Sequence, residues 1–164
     1  MKKWFLIGAL VVVVIFGAFI GVKVHQTNQQ KAEFYTFREQ LDERFFPLLK
    51  ENQQYFDDLT KHNNGLSLMD WNVKEGIDTR LKLQKEVKEI REEINNTDLK
   101  YQDTLELKQN AINSLALMEE IYRNVELFGN MDGFDLFVQQ LPEEINALSE
   151  NIEKQNKIMS KYYK

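Results

Sequence analysis

The sequence predicts an all-α protein, with an N-terminal transmembrane helix followed by an antiparallel, up-down-up-down four-helix bundle. An apolar run without charge fills positions 4–22. After it, apolar residues recur at steps of three and four in four segments joined by short turns, which is the spacing of one helix face. Short turns between segments of similar length favour antiparallel neighbours. Because the apolar stripes are narrow, a longer coiled-coil-like domain that dimerises is the alternative.

Residues 4–22 are predicted to form a transmembrane signal anchor. As a helix this segment is about 28 Å long, close to the thickness of the hydrocarbon core of a bilayer. Trp4 then lies at one interface, where indole is favoured. A cleaved signal peptide has a shorter apolar run and ends in a small-x-small site, and the residues around Gly21 offer none. We therefore expect a retained, single-pass span in the cell membrane.

The charges beside the span predict its orientation. Residues 1–3 are expected to form a short cytoplasmic tail, because Lys2 and Lys3 favour the inner side of a membrane. Residues 23–164 then form a helical soluble domain outside the cytoplasm. Lys23 and later basic residues follow the span and reduce the contrast, so the reverse orientation stays open.

Gly17 and Gly21 form a G-x-x-x-G pair within the span. Such a pair lets two membrane helices pack closely, which predicts a homodimer through the anchor. Glycine is also common in spanning helices, so the pair has an alternative explanation that involves no contact.

The helices of the soluble domain are predicted at about residues 29–61, 67–95, 98–128 and 134–162. The first carries a stripe made of Phe34, Phe37, Leu41, Phe45, Leu48, Tyr55 and Leu59. Pro47 removes one helical hydrogen bond, which predicts a kink or a restart. Gly65 is expected to end this segment as a left-handed cap.

The later helices are defined by similar signals. Ser67 is expected to open the second helix in a capping box, Gly76 to interrupt it, and Thr97 to cap the start of the third. The predicted core stripe of the second helix is Ile77, Leu81, Val87, Ile90 and Ile94. That of the third is Tyr101, Leu105, Ile112, Leu115, Ile121, Tyr122, Val125 and Phe128. The fourth carries Phe134, Phe137, Leu141, Ile145, Leu148, Ile152, Met159 and Tyr162, with a kink or restart expected at Pro142.

An apolar cluster is predicted at the end of the bundle far from the membrane, where the turns at 62–66 and 129–133 meet. Its members are Leu66, Leu68, Met69, Trp71, Phe128, Met131, Phe134 and Phe137. Aromatic and Met side chains at an exposed end are typical anchors of protein interfaces. The alternative is that they close the end of the bundle around its helix caps.

A basic segment is predicted at the opposite end, beside the membrane. Its members are Lys154, Lys157, Lys161, Tyr162, Tyr163 and Lys164. Lysines close to a bilayer attract anionic lipid, and tyrosine favours the membrane interface. The alternative is that the lysines complement the dipole of the helix C-terminus.

The composition argues against most catalytic chemistry. The chain has no cysteine and two histidines, His25 and His62, and it lacks the H-E-x-x-H pattern of zinc proteases. His62 is expected to pair with Asp58 on the surface of the first helix. The net charge of −5 disfavours nucleic acid as a partner. We therefore expect no enzyme, no cofactor and no metal site.

In outline, the layout resembles that of two groups of proteins. Chemoreceptor-type sensors place a four-helix ligand-binding domain after an anchor, but they cross the membrane a second time, and no second apolar run follows here. LemA-type proteins have an N-terminal anchor and a helical body, and residues 38–43, Arg-Glu-Gln-Leu-Asp-Glu, resemble a segment just after that anchor. No function is carried over from either group.

Three functions fit these features. The first is a membrane-anchored, non-catalytic protein-binding or assembly subunit, expected in a bacterial cell-envelope complex, that presents its bundle on the outer side of the membrane to an unidentified protein. The second is an extracytoplasmic sensor or small-ligand-binding bundle. The third is a passive coiled-coil spacer or anchor dimer.

Overall fold

The computed structural model describes residues 26–62, 65–127 and 134–162, apart from the side chains of 65, 66, 127 and 134–139. Within these residues the regular elements are four long helices, and no strand occurs. The predicted anchor at 4–22, with Gly17 and Gly21, lies outside the described residues. None of the described helices combines the length and the apolar character that a membrane crossing requires.

Helix α1 covers residues 26–60 and contains one π-helical turn. It is α-helical at 26–40, π-helical at Leu41–Phe45 and α-helical again at Phe46–Thr60. The π turn directly precedes Pro47, which has no N–H to donate to the preceding turn, and Phe46 N donates to Leu41 O instead. All seven residues of the predicted stripe are buried, so the core face of α1 is confirmed.

Helix α2 covers residues 65–96 and contains a second π turn. Its parts are α-helical at Gly65–Trp71, π-helical at Asn72–Gly76 and α-helical at Ile77–Asn96. The expectation that Gly65 ends the preceding segment is wrong, because Gly65 begins α2. The Ser67 hydroxyl lies 2.8 Å from His62 Nδ1, so it links the incoming chain to the helix. At Gly76 the helix continues through the π turn without a break.

The core face of α2 differs from the predicted one at its first two positions. Ile77 is 39% exposed and Leu81 is 52% exposed, so both predictions are wrong. Arg80 and Leu83 are buried in their place and continue into Val87 at steps of three and four. Ile77 and Leu81 lie on a different side of the helix from this row. The predicted stripe thus joined residues from two faces.

Helix α3 is Gln102–Leu127 and helix α4 is Phe134–Ser160. Thr97 caps the end of α2 rather than the start of α3, because its N–H donates to Ile94 O and its hydroxyl to Glu93 O. Leu105, predicted in the core, is 40% exposed. The buried face of α3 is formed by Thr104, Leu107, Ala111, Ser114, Leu115, Met118, Ile121, Tyr122 and Val125.

In the contacts between consecutive helices, residue numbers rise along one helix as they fall along the next. These pairs are Gln40–Glu93, Glu51–Lys82, Thr97–Lys108, Arg91–Glu119, Asp103–Lys161, Ser114–Gln155 and Asn124–Glu144. Consecutive helices therefore run in opposite directions and form a four-helix bundle around one apolar cluster. The start of α1 and the C-terminal end of α4 lie at the same end of the bundle, which we call the near end. The start of α2 lies at the opposite end, which we call the far end.

Candidate functional site

At the far end, the predicted cluster is described for three of its members. Leu68 is buried, while Met69 and Trp71 are half-buried. The Trp71 ring stacks on His62 at a centroid distance of 5.1 Å and lies 5.6 Å from the Tyr55 ring. The side chains of the other members, Leu66, Phe128, Met131, Phe134 and Phe137, lie outside the description. Trp71 thus connects α2 to the end of α1.

The Trp71 ring occupies the space that a side chain at Gly76 would need. A Cβ atom at this position would lie 2.9 Å from Cζ3 and 3.0 Å from Cη2 of the ring, well inside van der Waals contact. The π turn between the two residues brings the ring over the backbone of its own helix. His62 pairs with Ser67 and Trp71, whereas Asp58 pairs with Lys61 at 2.6 Å. This arrangement replaces the expected Asp58–His62 pair.

A cleft of about 350 Å³ opens between α1 and α2 beside Trp71. Three carboxylates, two aromatic rings and one lysine line it, namely Glu51, Asp58, Glu75, Tyr55, Trp71 and Lys82. Lys82 Nζ lies 3.0 Å from Glu51 Oε2, and Lys61 Nζ lies 2.6 Å from Asp58 Oδ1. Glu75 is then the lining carboxylate that has no ion pair among the described residues. An acidic cleft with aromatic walls suits a cationic group.

Polar groups occupy the core beneath this cleft. Tyr122 donates its hydroxyl hydrogen to Asn52 Oδ1, and Asn52 Nδ2 donates to Leu48 O at 2.8 Å. The Tyr55 hydroxyl is buried and has no hydrogen-bond partner among the described residues. Burial raises the pKa of both tyrosines well above the usual range, and the Arg80 charge opposes this rise at Tyr55. Both phenols therefore stay protonated and neutral at physiological pH.

Arg80 is a cation in a core position of α2. Its side chain is 6% exposed, and its Nη1 lies 3.4 Å from Oε2 of Glu126, which is largely exposed. The Arg80 Nε has no hydrogen-bond partner among the described residues. Breaking a buried ion pair on one side leaves an uncompensated charge, which costs more than the pair contributes. Glu126 is the carboxylate paired with this charge among the described residues, and Nη1, like Nε, forms no hydrogen bond there.

At the near end, α1 caps α3 across the bundle. Glu33 accepts hydrogen bonds from the backbone N–H groups of Lys100 at 2.9 Å and Tyr101 at 3.1 Å. Backbone N–H groups at the start of a helix have no partner within the helix, and the helix dipole favours negative charge there. Tyr101 donates its hydroxyl hydrogen to Gln29 at 3.1 Å. Two turns of α1 are thereby fixed to the start of α3.

The end of α4 is tied to the same region. The Tyr162 ring stacks on Phe34 at a centroid distance of 3.8 Å, and its hydroxyl donates to Asp103 Oδ2 at 3.0 Å. Lys161 Nζ lies 2.7 Å from Asp103 Oδ1. This hydrogen bond lowers the pKa of Asp103 and raises that of Lys161. We call Phe34, Asp103, Lys161 and Tyr162 the near-end clasp.

The predicted basic segment is divided by this clasp. Lys154 and Lys157 are exposed, while Lys161 and Tyr162 are engaged with Asp103. Tyr163 and Lys164 lie outside the described residues. Lys154 and Lys157 form no ion pair among the described residues, so their charges are open to solvent.

No group of three or more metal-ligating side chains occurs among the described residues. No protein-family model, curated protein or solved structure matches this chain.

Sequence reasoning missed Glu33, Asn52, Arg80 and Asp103. Asn52 carried a signal, because it lies three residues before Tyr55 of the predicted α1 stripe. Arg80 lies three residues before the buried Leu83, which the predicted α2 stripe did not include. A polar residue at a stripe position is a candidate core polar group. Glu33 and Asp103 carried none, since their partners are distant in sequence.

Proposed function

We propose that the protein is a membrane-anchored, non-catalytic binding or assembly subunit of the bacterial cell envelope, with its bundle on the outer side of the membrane. The observation that carries this proposal is the fixed near end. Helix α1 is present from residue 26, four residues after the apolar run ends at 22. Its first turns are held by Glu33 and the near-end clasp. A span joined to such an end holds the bundle as one body.

The length of α1 supports the same proposal. Thirty-five residues at 1.5 Å each extend about 52 Å, so the far end of the bundle stands well away from the bilayer. Lys154 and Lys157, exposed at the other end, suit contact with anionic lipid. The non-catalytic part of the proposal rests on the sequence, which has no cysteine and two histidines.

A photo-crosslinking experiment tests the proposal. Benzoylphenylalanine replaces Met69 at the far end in one variant and Leu105 near the other end in a second, matched variant. We expect an adduct with a different protein, of a mass distinct from a cross-linked dimer of this chain, in the membrane fraction from position 69 and none from 105. Equal adducts from both positions, or none from position 69, would contradict a partner site at the far end.

A second function, capture of a small cationic ligand, is favoured by the cleft between α1 and α2. Its carboxylates and its Trp71 and Tyr55 rings provide both attractions that a quaternary amine or polyamine uses. We expect choline or spermidine to quench Trp71 fluorescence and to raise the melting temperature. Glu75→Gln should weaken both effects. If neither ligand at millimolar concentration changes the fluorescence or the melting temperature, this function is ruled out.

A further inference from the structure

An apolar row lies on α2, away from the core, with three exposed members and the half-buried Met69 at its start. Its members, Met69, Val73, Ile77 and Leu81, are four residues apart. Val73 is 71% exposed and Leu81 is 52% exposed. Single exposed apolar residues are ordinary on a protein surface, but a contiguous row indicates an interaction surface.

A charged row runs beside the apolar row. Its members, Asp70, Lys74, Asp78 and Lys82, each follow a member of the apolar row by one residue, and all four are exposed. The sign of the charge alternates along the row. When the row is placed against a copy of itself running in the opposite direction, every position faces a charge of opposite sign.

The π turn at Asn72–Gly76 keeps both rows straight. In a regular α-helix, residues four apart drift by about 40° around the axis at each step. A turn closed by i→i+5 bonds holds an additional residue, which reduces this drift between positions 69 and 77. The two rows therefore follow the helix axis closely from residue 69 to residue 77, and the last step to residue 81 adds a drift of about 40°. The rows extend over about 18 Å in all.

We propose that this face of α2 binds a second copy of the same chain, with the two α2 helices antiparallel and related by a two-fold axis at the level of Gly76. In an antiparallel pair, equivalent flanks of the two helices face each other. Asp70 then meets Lys82 of the partner subunit, and Lys74 meets Asp78 of the partner subunit. Each contact occurs twice, as a two-fold interface requires. The apolar rows pack beside these charges.

The charges of the row are free to exchange partners. Lys74 pairs within the chain with Asp70 at 2.6 Å, and Lys82 pairs with Glu51 at 3.0 Å. Both pairs are exposed, and exposed ion pairs stabilise a fold little. The contact area is small, since four apolar side chains form its centre. We therefore expect weak, concentration-dependent pairing, with a Kd of about micromolar or above.

An antiparallel pair has a consequence for anchored chains, which rests on the proposed function. Gly76 lies about level with residue 53 of α1, because Glu51 contacts Lys82 and Tyr55 contacts Trp71. The starts of the two α1 helices are then about 80 Å apart, at opposite ends of the pair. Chains anchored in this way are joined across two facing membrane surfaces rather than within one.

Charge reversal at positions 74 and 78 tests the pairing, because mixing the two reversed variants should restore it. The full chain in detergent micelles is studied by sedimentation equilibrium as the native protein, as Lys74→Asp, as Asp78→Lys and as an equal mixture of the two variants. Each single variant places like charges opposite each other, which should weaken pairing at least about tenfold. In the mixture all four contacts join opposite charges again, so native affinity should return. Lys50→Glu on α1 is the matched control and should pair as the native chain does.

The remaining outcomes overturn the proposal. Equal association of all variants would assign any pairing to another surface, such as the anchor. Absence of pairing in the native chain, or a mixture without rescue, contradicts the antiparallel interface. Circular dichroism of each variant verifies that the helices are intact.

Vesicles carrying the native chain should cluster, and vesicles with Lys74→Asp should not. Pairing in micelles without clustering would refute the anchored arrangement and leave the α2 interface standing.

Discussion

Replacing Gly76 with alanine tests the packing of Trp71 at the far end. The new Cβ atom would lie 2.9, 3.0 and 3.1 Å from three ring carbons of Trp71. A flexible side chain could move aside, but this ring is held between His62 and Tyr55. We therefore expect the substitution to strain the contact between α2 and α1.

The expected magnitude is the difference between two effects. Overpacking a filled site costs about 1–3 kcal/mol. Alanine in place of glycine within a helix stabilises by about 0.5–1 kcal/mol. The net result for Gly76→Ala is a loss of about 1 kcal/mol, or a fall in Tm of about 3 °C for a chain of this size.

Thermal unfolding followed by circular dichroism measures this fall. The same substitution is then made in a Trp71→Leu background, where the ring is absent and only the helix propensity remains. There Gly76→Ala should raise stability by about 0.5–1 kcal/mol, so the sign reverses. Thr79→Ala, on the exposed side of α2, is the control and should raise stability slightly in both backgrounds. If Gly76→Ala stabilises the native chain as well, the ring does not constrain position 76.

Three further substitutions probe the polar contacts of the bundle. Glu33→Ala leaves the start of α3 without its cap and should cost about 1 kcal/mol in urea unfolding. Asn52→Leu leaves the buried Tyr122 hydroxyl without a partner and should cost about 1–3 kcal/mol in the same measurement. Asp103→Asn removes the ion pair with Lys161 and should cost up to about 1 kcal/mol at neutral pH. Because the pKa of Asp103 is lowered from 3.8 in the fold, this contribution is lost as pH falls below that value.

Each of these predictions has a matched comparison. Glu33→Asp is too short to reach both N–H groups and should lose part of the cap. Tyr122→Phe combined with Asn52→Leu should recover part of the loss, because the unpaired hydroxyl is gone. Native protein and Asp103→Asn should converge in stability in acid. Independent losses in the double variant, or an unchanged difference in acid, would contradict the assigned contacts.

The fold was predictable where apolar spacing was regular. All seven residues of the α1 stripe are buried, because steps of three and four return to one face of a helix. Pro47 and Gly76 marked the two positions where a π turn interrupts the α-helices. The sequence indicated a disturbance at both positions, but each helix continues through its π turn, where we had expected a kink, a break or a restart.

The second helix shows why the remainder was not predictable. Ile77 and Leu81 are apolar but exposed, whereas Arg80 is charged but buried. Hydrophobicity does not tell which of two apolar faces neighbouring helices will cover. Glu33 and Asp103 act on partners that are tens of residues away, and spacing along one helix holds no information on such contacts.

The side of the membrane on which the far end lies tests the central claim most directly. Lys61, exposed at the end of α1, is replaced by cysteine, which is the only thiol because the chain has none. Intact cells are labelled with a membrane-impermeant maleimide, and the labelling is repeated after permeabilisation. An anchored bundle on the outer side predicts full labelling in intact cells. Labelling that requires permeabilisation would contradict this account and place the bundle in the cytoplasm.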